Sequence, residues 1–165
     1  MEDKYYVTPP GSVKIKWGGP TDLKELYRQM KIWLEDNGFA TEESLEKRYV
    51  EAIKPNGKDL YIYWEGEKKI SDYFTNKINV EFSFVAMQDV EVQEGNIKRK
   101  LSKGTLEIRI TAYVEYGKKW ESVGALSKFY YKMISKQRLE EHAKDFYNKV
   151  YKFHTLIKDF IGLTN

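Results

Sequence analysis

Residues 78–92 read INVEFSFVAMQDVEV, and their alternation decides what kind of fold the chain builds. Successive side chains of a strand point to opposite faces. Ile78, Val80, Phe82, Phe84, Ala86, Val90 and Val92 therefore share one face, and Asn79, Glu81, Ser83, Asp89 and Glu91 share the other. A second stretch answers it at 105–116, TLEIRITAYVEY: Leu106, Ile108, Ile110, Ala112, Val114 and Tyr116 are apolar, and Glu107, Arg109 and Glu115 point away. Two long strands that each keep one polar face belong to an antiparallel sheet covered on one side only.

The cover is written at the end of the chain. From Lys136 to Ile161, Leu139, Ala143, Phe146, Val150, Phe153, Ile157 and Phe160 are spaced alternately four and three apart, with Tyr147, His154 and Ile161 widening the stripe. That is the apolar face of a helix of about 39 Å. A seam of this length buries itself against another helix or against a sheet, and the sheet just described has a matching face with no other cover.

Toward the N-terminus, Ser12–Trp17 alternates Val13, Ile15 and Trp17 with basic residues and stops at Gly18-Gly19-Pro20, a short strand preceded by an expected flexible segment, residues 1–11. Thr21 or Asp22 caps the next element, and Asp22 and Glu25 have capping-box spacing. Leu23, Leu26, Tyr27, Met30, Trp33 and Leu34 form its helical stripe, which ends at Asn37-Gly38. Residues 41–53 fit a helix through Leu45, Tyr49 and Ile53, but the following Lys54-Pro55-Asn56-Gly57 marks a reversal between strands, so we read them as a strand. Leu60–Trp64 is a further strand, with Glu65-Gly66-Glu67 as its turn or bulge. After the second long strand, Tyr116–Trp120 reads as a turn into another strand from Val123 to Ile134. With no linker, repeat or low-complexity segment, the 165 residues are expected to form a single α+β domain.

Composition narrows function mostly by exclusion. The chain has no cysteine, which removes disulfides, thiol nucleophiles and thiolate metal sites. The N-terminus has no signal-peptide pattern and no run of roughly 18 apolar residues follows, so a cytoplasmic protein without a membrane span is expected. The 28 basic and 25 acidic residues leave a net charge of only +3, short of a nucleic-acid signature, and most of the bases are lysine.

A strand, an early helix, antiparallel strands and a long C-terminal helix laid across them is an order that resembles the helix-grip proteins, the START and polyketide-cyclase-like group. The resemblance is one of element order, carries no residue motif, and implies a hydrophobic ligand held between sheet and helix. Under that reading the pocket residues are Phe84, Gln88, Ile110, His142 and Phe146. Gln88 stands out as an amide on an apolar strand face, where it would orient a ligand. The alternative is a bulge near Val85 to Met87 that turns Gln88 outward to a satisfied position.

The function expected from sequence is accordingly a non-enzymatic binding domain for a hydrophobic ligand or a partner's apolar segment, without catalytic residues, metal or cofactor. His142 and His154, the only histidines, lie about 18 Å apart on one helix and cannot share a metal. Glu65 with Glu67, and Asp89 with Glu91, sit at i, i+2 like a carboxylate pair, but on solvated strand faces with nothing to raise one pKa.

A second reading is an RNA- or DNA-associated protein that uses Lys98, Arg99, Lys100 and Lys103 of GNIKRKLSKG, with aromatics such as those of Lys119-Trp120 and Lys128–Lys132 as stacking platforms. Against it, Gly95-Asn96 suits a tight turn, which makes the basic run part of a hairpin ladder. A third reading is a structural subunit that self-associates through a strand edge or the terminal helix.

Overall fold

The computed structural model describes residues 3–39, 45–71, 73–116 and 125–163, with the backbone alone for residues 3, 125–128, 130–135 and 163. In chain order the elements are β1 (Asp3–Trp17), α1 (Leu23–Asp36), β2 (Glu46–Lys54), β3 (Gly57–Lys69), β4 (Phe74–Glu94), β5 (Ile97–Tyr116) and α2 (Ala125–Leu163). The five strands make one antiparallel sheet in the order β1-β5-β4-β3-β2, and the two helices complete an α+β fold. The likeness to helix-grip proteins remains one of element order.

The alternation in β4 and β5 sorts their side chains as the sequence predicts. Ile78, Val80, Phe82 and Phe84 are buried on the helix side beside Leu106, Ile108, Ile110, Ala112 and Val114. Glu81, Arg109 and their neighbours line the opposite, open face. Leu26, Met30 and Leu34 of α1 and Leu139, Phe146, Val150, Phe153 and Ile157 of α2 close the same core. The helices lie side by side, with Trp33 stacked on Phe153 at 4.7 Å between ring centroids. At the centre, Trp64 is fully buried, edge-on to Phe82 and Tyr27, and its indole N–H donates to Glu46 Oε1 at 3.2 Å. The same oxygen accepts the Tyr27 hydroxyl at 2.6 Å, and burial together with that carboxylate pushes the Tyr27 pKa well up.

Local signals are realised where they are local. The Asp22 side chain accepts from the Glu25 N–H at 3.2 Å, and Gly38 takes the left-handed conformation just past the end of α1. The strand reading of 41–53 is correct for Glu46–Lys54, while residues 41–44 lie outside the described residues. Gly95-Asn96 forms the turn between β4 and β5, so the basic run belongs to a hairpin ladder.

Three expectations are corrected. Residues 3–11 are not a free lead-in but the first part of β1, paired with β5 from Asp3↔Tyr116 onward. The interruption at Pro9-Pro10-Gly11 is absorbed as irregular register, with Thr8 Oγ1 accepting the Ala112 N–H at 2.9 Å in place of a ladder bond. Glu65-Gly66-Glu67 is neither turn nor bulge. β3 runs straight through it, and Gly66 is small because a Cβ there would stand 2.8 Å from Ile78 Cγ2 and 3.2 Å from Phe39 Cβ. The strand expected over Val123–Ile134 is instead the start of α2, described from Ala125, which makes this helix 39 residues, about 58 Å. Leu126, Phe129, Tyr130, Met133 and Ile134 are spaced three, one, three and one apart, a helical pattern that their β-favouring aromatics obscured. Residues 117–124, including the expected turn at Trp120, lie outside the described residues.

Candidate functional site

Of the five residues expected to line an interior pocket, three lie in the core and Gln88 lies at the surface. Phe84, Ile110 and Phe146 are members of the packed core, and Phe146 stacks on Phe39 at 5.7 Å between centroids. Gln88 is exposed, and its amide donates to the Asn56 carbonyl at 2.9 Å. The cause is a bulge between Val85 and Gln88, where Ala86 has φ 54° and the alternation of β4 skips.

The bulge is held from three sides. Asp59 Oδ1 accepts the Ala86 N–H at 3.0 Å, Lys54 pairs with the same carboxylate at 2.6 Å, and the Gly57 and Gly104 backbones press against the carbonyls of 85–87. The backbone bond first, then the Lys54 ammonium, hold the Asp59 pKa below the usual range.

His142 occupies the far end of the helix face. Its Nε2 is 2.7 Å from Asn76 Oδ1, and its ring lies flat on Phe74 at 5.6 Å. Burial lowers its pKa, as it does that of His154. Among the described residues no three His, Asp or Glu side chains converge as metal ligands.

The four basic residues of the hairpin are also dispersed. Lys98, Arg99 and Lys100 stand opposite Gln93, Val92 and Glu91, so the middle one points to the other face of the ribbon from its neighbours. Arg99 is engaged by Asp22 at 3.6 Å and Glu94 at 3.7 Å, and Lys103 lies beside the bulge, opposite Gln88. Two hydrogen bonds of 2.8 Å between Thr21 and Ser102 tie this ribbon to the start of α1.

Two concave regions did not emerge from the sequence. The first is a seam along the outer side of α2, where it passes edge strand β1. It comprises an open cleft of about 600 Å³ between Tyr5, Tyr6 and Val7 and the helix residues Gln137 to Tyr147. A further 200 Å³ lies between Thr8, Ser12 and Val13 and the helix residues Tyr147 to His154. Tyr147 borders both, so the two adjoin. Tyr5, Tyr6, Tyr147 and Tyr151 line it with 39–60% of their surface exposed. Its helix wall from Gln137 to His154 measures about 26 Å. Glu140 and Glu141 mark one end, and Lys14 and His154 the other. A helical stripe read as "core" carries no label for its outer border, so Tyr147 was legible only as a widening of that stripe.

The second region is a cleft of about 390 Å³ on the open face, lined by Arg48, Tyr61, Tyr63, Glu81, Ser83 and Arg109. Its residues come from four strands, and only the register aligns them.

Compared with known proteins, the chain matches no family model and no curated protein. No helix is long and apolar enough to cross a membrane among the described residues.

Proposed function

We propose that the protein is a non-enzymatic binding domain that holds an extended apolar segment of a partner polypeptide in the seam between β1 and α2. The expectation of a ligand between sheet and C-terminal helix is thereby kept in kind and moved outward, from the core to the border of the two elements. The observation that carries it is the set of exposed tyrosines, Tyr5, Tyr147 and Tyr151, bordering two adjoining clefts between β1 and α2. Tyrosine gives contact area with little side-chain entropy to lose, and exposed aromatic patches of this kind characterise binding surfaces.

The shape favours a chain over a compact molecule. A seam of about 26 Å matches roughly eight extended residues at 3.3 Å each. At the acidic end Glu140 and Glu141 outnumber Lys144 and favour a cation there. Pro9 and Pro10 withhold two backbone donors from the middle of the edge, so side-chain anchoring carries more of the binding than strand pairing does.

The test is amide-shift mapping on the full chain with an octapeptide of alternating leucine and threonine, lysine at its first position and glutamate at its last. Shifts confined to residues 3–14 and 137–154, with binding weakened roughly tenfold or more by Tyr147→Ala and Tyr151→Ala together, support the reading. Palmitate serves as the competing probe. If it binds and shifts Phe84, Ile110 and Phe146 while the peptide shifts nothing, the interior pocket is restored and the seam is wrong.

A second reading, self-association, is favoured by edge strand β2, where Tyr49, Val50 and Ile53 are 51%, 43% and 91% exposed.

A further inference from the structure

The open face of the sheet carries its own site, distinct from the seam at α2. The pairing registers line up one row across all five strands: Lys14 opposite Arg109, Arg109 opposite Glu81, Glu81 opposite Tyr63, and Tyr63 opposite Arg48. The adjacent row is Lys16, Glu107, Ser83, Tyr61 and Val50. The cleft lies over β2 to β5 along these two rows.

Part of the charge in the two rows is internally neutralised. Glu107 accepts from Arg109 Nε at 2.7 Å and pairs with Lys14 at 3.5 Å. Of the charged groups that line the cleft, two are left over. Among the described residues Arg48 and Glu81 have no ion-pair or hydrogen-bonding side-chain partner, although both are exposed at the cleft. They stand in the same row on either side of Tyr63, one on β2 and one on β4, so their backbones are two strand spacings apart, about 10 Å. An unpaired guanidinium is a bidentate receptor for a carboxylate, and an unpaired carboxylate is a receptor for an ammonium.

We propose that this cleft binds a short zwitterionic peptide with both ends free, its C-terminal carboxylate on Arg48, its N-terminal ammonium on Glu81, and its backbone lying across Tyr63. The separation sets the length. Three extended residues span about 10 Å, which bridges the two groups, whereas two fall short and five overshoot. The balanced charge of the cleft excludes a polyanion, which would meet Glu81 and Glu107 as well as the arginines. A one-headed ligand would leave either Arg48 or Glu81 unanswered.

Trialanine is the probe, titrated into the full chain and followed by amide shifts and calorimetry. Saturable shifts are expected at Arg48, Tyr63 and Glu81, with affinity falling roughly tenfold or more when either end is blocked by acetylation or amidation. Dialanine and pentaalanine are expected to bind more weakly than trialanine. Arg48→Glu and Glu81→Arg each remove binding, while the double exchange Arg48→Glu/Glu81→Arg restores it with the peptide reversed. Both side chains are exposed, so these variants keep the fold, which the unchanged amide spectrum of the helix face verifies. The proposal is overturned by the absence of a saturable shift up to about 0.1 M trialanine, by binding indifferent to blocked ends, or by a double exchange that does not recover it.

Discussion

Gly104→Ala and Ala86→Gly probe the bulge from its two sides and are expected to act in opposite directions. A Cβ built on Gly104 stands 2.7 Å from Phe84 Cε1, 2.7 Å from the Val85 oxygen and 3.1 Å from the Ala86 oxygen. The last two atoms are backbone, so the methyl cannot be accommodated by turning a side chain. Overpacking of this kind costs about 1–3 kcal/mol, and the backbone contacts put Gly104→Ala in the upper half of that range. For a chain of this size about 2–3 kcal/mol lowers the melting temperature by roughly 4–12 °C.

Ala86 is the non-glycine residue with positive φ among the described residues, at 54°. A left-handed conformation costs an L-residue about 1–2 kcal/mol, and the added freedom of glycine in the unfolded chain takes back about 0.4–1. Ala86→Gly should therefore stabilise by about 0.5–1 kcal/mol. Gly18→Ala serves as control, because a methyl there meets nothing within 4 Å, and a change within about 0.5 kcal/mol is expected. Urea unfolding followed by circular dichroism measures all three. A neutral Gly104→Ala, or an Ala86→Gly that destabilises by more than about 1 kcal/mol, would refute the account of the bulge and with it the reason given for Gln88 facing water.

Further expectations concern the core, the pH response and the edges. Glu46→Ala leaves the Trp64 indole N–H and the Tyr27 hydroxyl without their shared acceptor and should cost about 1–3 kcal/mol in urea unfolding, with Glu46→Gln closer to wild type because it retains an oxygen. Burial lowers the pKa of His142 and of His154, so as pH falls the unfolded chain takes up protons first. Their contribution is full above about pH 6.5 and declines below it. The urea midpoint should drop between pH 7 and pH 5, and His142→Gln should flatten that slope; a midpoint constant over this interval in wild type would contradict it. Replacing Val50 and Ile53 by lysine should abolish any concentration-dependent rise in mass seen by light scattering, whereas a rise unchanged in that variant assigns self-association to another surface.

What was legible in the sequence follows the range of the signal. The face of β5, that of β4 up to Phe84, the stripe of α2, the cap at Asp22 and the turn at Gly95-Asn96 each depend on residues within a few positions of one another, and the structure realises them; past the bulge the alternation of β4 skips, so Ala86, Val90 and Val92 do not continue the face as the sequence suggests. The N-terminal strand was cut short because Pro9-Pro10-Gly11 resembles a break, and only pairing with β5 reveals that it is spanned. Gly66 was taken for a turn because a glycine's neighbour in space, here Ile78 and Phe39, is invisible along the chain. The first turns of α2 were assigned to a strand because aromatic propensity outweighed spacing.

For the candidate sites the division is sharper. The chain by itself determined an α+β fold with an antiparallel sheet, one apolar and one polar face, and a long helix to close the apolar side, because period-two and three-four patterns fix which side chains meet water. It also raised the bulge as one answer to Gln88. Tertiary structure alone decided that Phe84, Ile110 and Phe146 fill the interior, that Lys98, Arg99 and Lys100 divide between the faces of a ribbon, and that Arg48, Tyr63 and Glu81 form one row. Register and packing bring together residues 15 to 62 positions apart, and such distances leave no periodic trace in the order of amino acids.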